Sequence, residues 1–222
     1  MKKKGRYKAS GVEFEHEPGS DGKVLKNLLG IKKQDDMDRV ESVALKQAED
    51  IFFRKLVRQD KRFTAKDVCN MHKVWLGKIY EWAGQYRGVD LSKRNFRFAN
   101  ARVIPQLMND FENVCLVKHT PCVFDSRNRM IQALAEVHTE LVLIHPFREG
   151  NGRLARVLST LMALQASLPP LDFTLIEKGK KKRAYFRAVQ AGMDKNYSPM
   201  EKIFAEIIGK TLSRFQAKGK SR

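Results

Sequence analysis

An all-α fold carrying one short β-hairpin is what this sequence predicts, and three observations predict it. Apolar residues recur at three- and four-residue spacing through most of the 222 residues, as in helices that bury one stripe. Only Gln85–Ala99 breaks that rhythm: Val89, Leu91, Phe96 and Phe98 flank the polar tip Ser92-Lys93-Arg94-Asn95 and predict a short hairpin, or flap, among helices. Neither a repeat nor an alternation of strands with helices is visible, so a single bundle is expected.

In order, residues 1–22 are polar and basic, with the turn-rich Pro18-Gly19-Ser20-Asp21-Gly22, and are expected to form a flexible or irregular arm. Leu25–Ile31 reads as a short apolar anchor. Asp35 or Asp36 can cap a helix through about Arg58, with Val40, Val43, Ala44, Ala48, Ile51 and Phe52 on its stripe. Thr64 caps the next, to about Tyr80, with Val68, Met71, Val74, Trp75 and Ile79 facing in. After the hairpin, helices are expected over about Arg102–Leu116 (Val103, Leu107, Phe111, Val114) and Ser126–Ile144 (Leu134, Val137, Leu141, Ile144). Another follows over Leu154–Leu168 (Val157, Leu158, Leu161, Met162, Leu164). Pro169-Pro170 interrupts the chain, and Lys181 to about Met193 resumes it. Ser198, with Pro199 at the first helical position, then starts a last helix whose apolar residues are Ile203, Phe204, Ile207, Ile208 and Leu212. Residues 23–209 thus form one domain, and 210–222 a basic tail.

Composition narrows the setting. Lys and Arg number 43 against 25 Asp and Glu, a net charge of +18, concentrated at Lys2–Lys8, Lys178–Arg183 and Lys210–Arg222. Such runs are most often solvated faces; the functional alternative is a surface for acidic protein, nucleic acid or nucleotide phosphate. With no zinc-finger spacing and no RNA-reading aromatic motif, direct nucleic-acid recognition has only the charge behind it. No apolar run is long enough to span a bilayer, and Met1-Lys2-Lys3-Lys4-Gly5-Arg6 leads into no apolar segment that would make it a secretory signal. Cys69, Cys115 and Cys122 are odd in number and lack metal-like pairing, so reduced thiols in a cytoplasmic protein are expected.

The chemistry concentrates in His145-Pro146-Phe147-Arg148-Glu149-Gly150-Asn151-Gly152-Arg153-Leu154-Ala155-Arg156. Pro146 disfavours helical dihedrals at His145, which places that imidazole at a helix end, exposed to the loop and able to titrate. Gly150, Asn151 and Gly152 can bend the backbone into an amide cradle at the start of the next helix, where unpaired N–H groups and the dipole favour an anion. Glu149 beside a phosphate site suits Mg²⁺, which prefers hard oxygen ligands. Arg153 and Arg156, three apart on one helix face, can clamp a polyphosphate. Taken singly, each residue has a plain structural reading as a cap, a turn or a surface charge. Together they compose a base, a metal ligand, an anion cradle and a clamp, a set suited to nucleotidyl or phosphoryl transfer.

These twelve residues also match the signature of the Fic domain family (His-Pro-Phe-x-Asp/Glu-Gly-Asn-Gly-Arg-x-x-Arg), and Trp82-Ala83-Gly84 with Arg87 resembles the family's upstream segment. The resemblance spans about Leu25 to Gly209. It implies a Fic fold and protein adenylylation, in which AMP passes from ATP to a Ser, Thr or Tyr hydroxyl of a target protein and pyrophosphate leaves. It makes His145 the general base, Glu149 the Mg²⁺ ligand, Gly150, Asn151 and Gly152 the anion hole, and Arg153 and Arg156 the grip on the outer phosphates. The hairpin takes the place of the family's flap, where Lys93, Arg94 and Asn95 are candidates to reach nucleotide or target. Gln190–Tyr197 lies where the family closes the adenine pocket. His72 reads as a hydrogen-bonded structural histidine.

Two further expectations follow from the resemblance. Many members carry an inhibitory helix reading Ser/Thr-x-x-x-Glu-Gly/Asn. Here only Glu112 and Glu149 precede Asn or Gly, and Met108 and His145 stand four residues before them. Inhibition of what would be a bacterial toxin-like protein is therefore expected from a separate antitoxin-like partner that approaches Arg156. The basic tails, with family precedent, point to an acidic or DNA-associated target such as a topoisomerase subunit. Transfer of another phosphoryl or nucleotidyl group, or a basic binding domain with a vestigial site, are the alternatives. Gly152 argues against the phosphorylating relatives, which replace a motif glycine.

Overall fold

The computed structural model describes residues 8–9, 15–57, 59–93 and 96–219. Its elements are β1 (Lys8–Ala9), α1 (Gln34–Leu56), α2 (Ala65–Leu76), β2 (Leu91–Lys93), β3 (Phe96–Arg97), α3 (Ile104–Asp110), a π-helical stretch (Phe111–Leu116), α4 (Val117–His119), α5 (Arg127–Ile144), α6 (Asn151–Gln165), α7 (Gly179–Ala191) and α8 (Ser198–Gly219). α5 and α6, joined by His145–Gly150, are the central pair. α8 packs on α5, α1 packs on α2, and both α1 and α2 reach α6. The central pair is apolar nearly all round, with Ala133, Leu134, Val137, Leu141, Leu154, Leu158 and Leu161 buried. Each large side chain so buried contributes roughly 1.5–3 kcal/mol.

Local chemistry explains the ends. Thr64 and Asp67 form a reciprocal capping box at the start of α2, and the Ser126 hydroxyl accepts from the Arg129 amide to start α5. At α1 the cap position is Lys33, with no side-chain cap, and Asp35 and Asp36 lie inside the first turn, where they complement the dipole instead of capping. α2 stops at Leu76, before the expected Tyr80, as the chain turns through Gly77.

Three departures from the expected pattern have physical causes. On α1, Val43 and Ile51 are exposed while Met37 and a carboxylate, Glu41, are buried; polar partners described below hold Glu41 and rotate the stripe. Past α3, the wider π-helical turn shifts the inward face, leaving Val114 exposed and bringing in Cys115 and Leu116. α8 runs to Gly219, into the segment expected as a tail. Thr211 is buried there and its hydroxyl accepts from the Asp172 amide, while the Asp172 carboxylate pairs with Lys210 and Arg214.

The hairpin is present, and it gains a strand. β2 pairs antiparallel with β3 (Ser92↔Arg97), and β1 pairs antiparallel with the other edge of β2 (Ala9↔Leu91), giving the order β1-β2-β3. The arm expected over 1–22 is tied down in its described second half. Glu17 and Val24 hydrogen-bond across the turn, Ser20 is buried, and His16 bridges Leu25.

Candidate active site

His145 caps α5 in the left-handed conformation, φ 53° and ψ 57°, which costs a side-chain-bearing residue roughly 1–2 kcal/mol and must be held by its surroundings. Arg87 does much of the holding. Buried, it donates through Nε to the His145 carbonyl (2.7 Å), and through its terminal nitrogens to the carbonyls of Val89 and Ala99 (2.6 Å each); its amide donates to the Pro146 carbonyl (2.9 Å). Charge-assisted bonds to several carbonyls compensate for burying a guanidinium there.

The imidazole is not exposed, as its place at a helix end suggested. It is buried, with the Phe98 ring stacked on it at 3.7 Å. Burial pushes its pKa down to about 3, and Arg87 and Lys93 lower it further. Nδ1 lies 3.0 Å from the Val142 carbonyl, which can only accept, so the proton sits on Nδ1 and the lone pair on Nε2. This is a neutral base, set in its tautomer by the helix it caps.

The loop after it is braced from within. Phe147 is fully buried and stacks on His72 at 4.0 Å. The Asn151 side chain closes the turn in both directions, accepting from the Phe147 amide (2.8 Å) and donating to the Phe147 carbonyl (2.7 Å), so only its backbone is available to a ligand. His72 accepts from the Gly84 amide at Nδ1 (2.8 Å) and donates from Nε2 to the Glu149 carbonyl (3.0 Å). Burial lowers its pKa to about 4. It is a structural histidine that ties Trp82-Ala83-Gly84 to the loop.

The two cradle glycines serve different ends. Gly150, at φ +85°, lies against Trp75, and a Cβ there would sit 2.7 Å from the ring. A Cβ at Gly152 would meet nothing within 4 Å, so the space above it is open. With Gly150 as N-cap, α6 starts with no side-chain cap on its first-turn amides. The Glu149 carboxylate sits at the mouth of this cradle, accepting from the Gly150 amide at 2.9 Å.

The two arginines, expected to act alike, have different surroundings. Arg153 is clamped between carboxylates, 2.6 Å from Glu41 and 3.4 Å from Glu149, and lies 4.7 Å over the Trp75 ring. Arg156 lies over Phe173, and its Nε is buried with no hydrogen-bond partner among the described residues. An arginine N–H left unsatisfied in a low-dielectric setting is poised for an anionic acceptor. Beside it, His138 bridges the Ser159 and Tyr185 hydroxyls (3.0 and 2.9 Å).

Residues 62–163 match the profile of the Fic/DOC family. Those residues form a Fic/DOC domain. It is 30% identical over 196 residues to the protein adenylyltransferase VbhT of Bartonella schoenbuchensis, covering 86% of this chain and 38% of VbhT. It is 26% identical over 197 residues to a probable protein adenylyltransferase Fic of Escherichia coli, covering 86% of this chain and 90% of that one. The structure is similar to that of the Bartonella tribocorum effector BepC with bound AMPPNP, with a TM-score of 0.68 and 25% identity over 82% of this chain and 91% of that one.

In this Fic/DOC domain the motif loop brings together His145, Glu149, Gly150, Asn151, Gly152 and Arg153, with Arg156 one helical turn further along α6. The flap stands over His145 through Phe98, and its Lys93 amine lies 4.5 Å from the Phe186 ring of α7. Arg94 and Asn95 lie outside the described residues. The motif could not reveal three side chains that shape the site: Glu41, Trp75 and Phe98. Glu41 and Trp75 are ordinary helix residues and Phe98 directly follows β3, and only the place of a carboxylate among the apolar residues of α1 could have signalled Glu41. No described helix is long and apolar enough to cross a membrane.

Proposed function

We propose that the chain is a protein adenylyltransferase that moves AMP from ATP to a hydroxyl of a target protein. The observation that carries this reading is the tautomer of His145, a neutral buried base with its lone pair on Nε2, beside an amide cradle. Nε2 takes the proton of the target hydroxyl as its oxygen bonds to the α-phosphorus; the α–β bridging bond breaks and pyrophosphate departs. The Gly150-Asn151-Gly152 amides hold the non-bridging oxygens, where preorganised donors stabilise charge as it develops. Arg156 offers its buried Nε–H to the outer phosphates, and Arg153 adds a second positive edge.

Glu149 is the residue that would hold Mg²⁺, and its carboxylate at the cradle mouth is a hard oxygen donor of the kind that ion prefers. Mg²⁺, when bound, neutralises phosphate charge. The flap would align the target segment by strand-like pairing, and the pairing of β1 along β2 supports this, because that edge already accepts extended backbone. Lys93, Arg94 and Asn95 would contact nucleotide or target there. A cytoplasmic, toxin-like role, restraint by a separate antitoxin-like protein at Arg156, and an acidic or DNA-associated target belong to the same proposal.

ATP labelled in turn at the α- and γ-phosphate tests the reading. Label on protein from the α-position alone supports adenylyl transfer, and label from the γ-position alone replaces it with phosphorylation. No label from either, with tight DNA binding, favours a basic scaffold. If the charge steers the target, added salt should slow target modification more than self-modification; an equal response removes the steering.

A further inference from the structure

Glu41 is a carboxylate buried in the middle of α1, more than a hundred residues before the motif. A lone ion pair does not explain it. Burying a carboxylate is costly unless it is paired and hydrogen-bonded, and an apolar side chain of similar size commonly serves packing as well or better. Its partners are specific. One oxygen is 2.6 Å from the Arg153 guanidinium, the other accepts from the Tyr80 hydroxyl at 2.7 Å, and its backbone carbonyl accepts from the Trp75 indole at 2.9 Å. Each partner is also built into the site: Trp75 backs Gly150 and stacks on Arg153, Tyr80 stacks on Trp82 at 4.4 Å, and Arg153 reaches Glu149.

We propose that Glu41 is a positioning residue for the nucleotide phosphates. It holds one terminal nitrogen of Arg153 so that the other edge of the guanidinium faces Glu149 and the cradle. The proposal rests on the adenylyl-transfer reading of the site. Arginine is long, and without a fixed partner it samples many rotamers; a carboxylate on one nitrogen and an indole under its plane leave it a single orientation. The Arg153 edge that meets Glu149 is the one a phosphate oxygen would take once Glu149 turns to Mg²⁺. Glu41 keeps the guanidinium in place through that exchange. It acts on binding, not on the proton transfer, so its loss should appear in ATP affinity and not in the chemical step.

Glu41→Gln is the direct test, read by equilibrium titration of a fluorescent ATP analogue with and without Mg²⁺ and by steady-state adenylylation. Binding with Mg²⁺ should weaken and KM for ATP rise by roughly tenfold or more, the worth of one charged hydrogen bond, while kcat stays nearly unchanged. Glu41→Asp, which keeps the charge on a shorter side chain, should lose less, and it carries the test if the Gln variant does not fold. Phe52→Leu, a core change on the same helix away from the site, is the control and should lower Tm without moving nucleotide affinity. Affinity in Glu41→Gln equal to or tighter than the parent's overturns the proposal, as does a loss in proportion to Tm in all three variants. A parent protein that binds no nucleotide at all sinks the transfer reading itself, and this inference with it.

Discussion

The motif loop and the flap meet over one imidazole, yet they are built in opposite ways. His145 to Arg153 is held on every side. Arg87 fixes its backbone, Asn151 its turn, His72 its carbonyl, Trp75 its glycine and Glu41 its arginine. β2 and β3 are short strands held by a few ladder bonds, with β1 on the outer edge. The difference teaches where precision is needed. For the proposed transfer, proton movement and phosphate contact would tolerate errors of well under an ångström, which fits a region held on every side. A flap that paired with target backbone, as proposed, could accept many sequences and would need only an edge.

The largest break in that contrast should come from the base. His145→Ala is expected to lower adenylate transfer by about two to four orders of magnitude while leaving nucleotide binding intact, measured by α-phosphate label on protein beside a binding titration. Parental transfer by this variant would remove the mechanism. Next in size is the pair of glycines. Gly150→Ala forces a Cβ into Trp75 at positive φ and should cost about 2 kcal/mol or more in urea denaturation. Gly152→Ala enters open space on a helix, should hold or raise stability by up to about 1 kcal/mol, and should still weaken nucleotide binding. Equal behaviour of the two variants would erase the distinction between a packing glycine and a ligand glycine.

Acid should expose the buried side of the comparison. His72 titrates near 4, and His138 and His145 near 3, because burial disfavours their charged forms. The unfolded chain takes up those protons below about pH 6.5, the native state only far lower. Stability is therefore undiminished above about 6.5 and falls as pH drops toward 3, by up to about 1.4 kcal/mol per pH unit for each histidine. Urea midpoints at pH 7 and pH 5 check this, and equal midpoints would mean the histidines accept protons in place. The smallest effect belongs to the flap. Deleting residues 1–10 removes β1 from the edge of β2 and should lower KM for a protein target by a few fold without changing ATP affinity. A rise in that KM would mean β1 supports the flap instead of covering it.

Much of this was legible beforehand because it depends on neighbours in the chain. A capping box, a proline after a histidine and glycines before a helix are local signals, and they marked α2, the end of α5 and the start of α6. The hairpin showed as a break in helical rhythm around Ser92–Asn95. Local signals fail where a distant partner decides. Nothing near Glu41 reports that Tyr80 and Arg153 will receive it, so Val43 and Ile51 looked like the better inward residues. The π-helical turn moved the face at Val114, and α8, pinned by Asp172, runs on into the expected tail.

By itself, then, the sequence determined an all-helical bundle, one hairpin and a twelve-residue glycine-rich loop between two helices, since periodicity, capping and backbone preference act over a few residues. Only the tertiary structure decided that His145 is a neutral, buried imidazole under Phe98, that Arg153 and Arg156 have separate surroundings, and that α1 reaches into the site through Glu41. Those outcomes depend on desolvation and on partners brought together from far along the chain, quantities that do not exist until the bundle has closed.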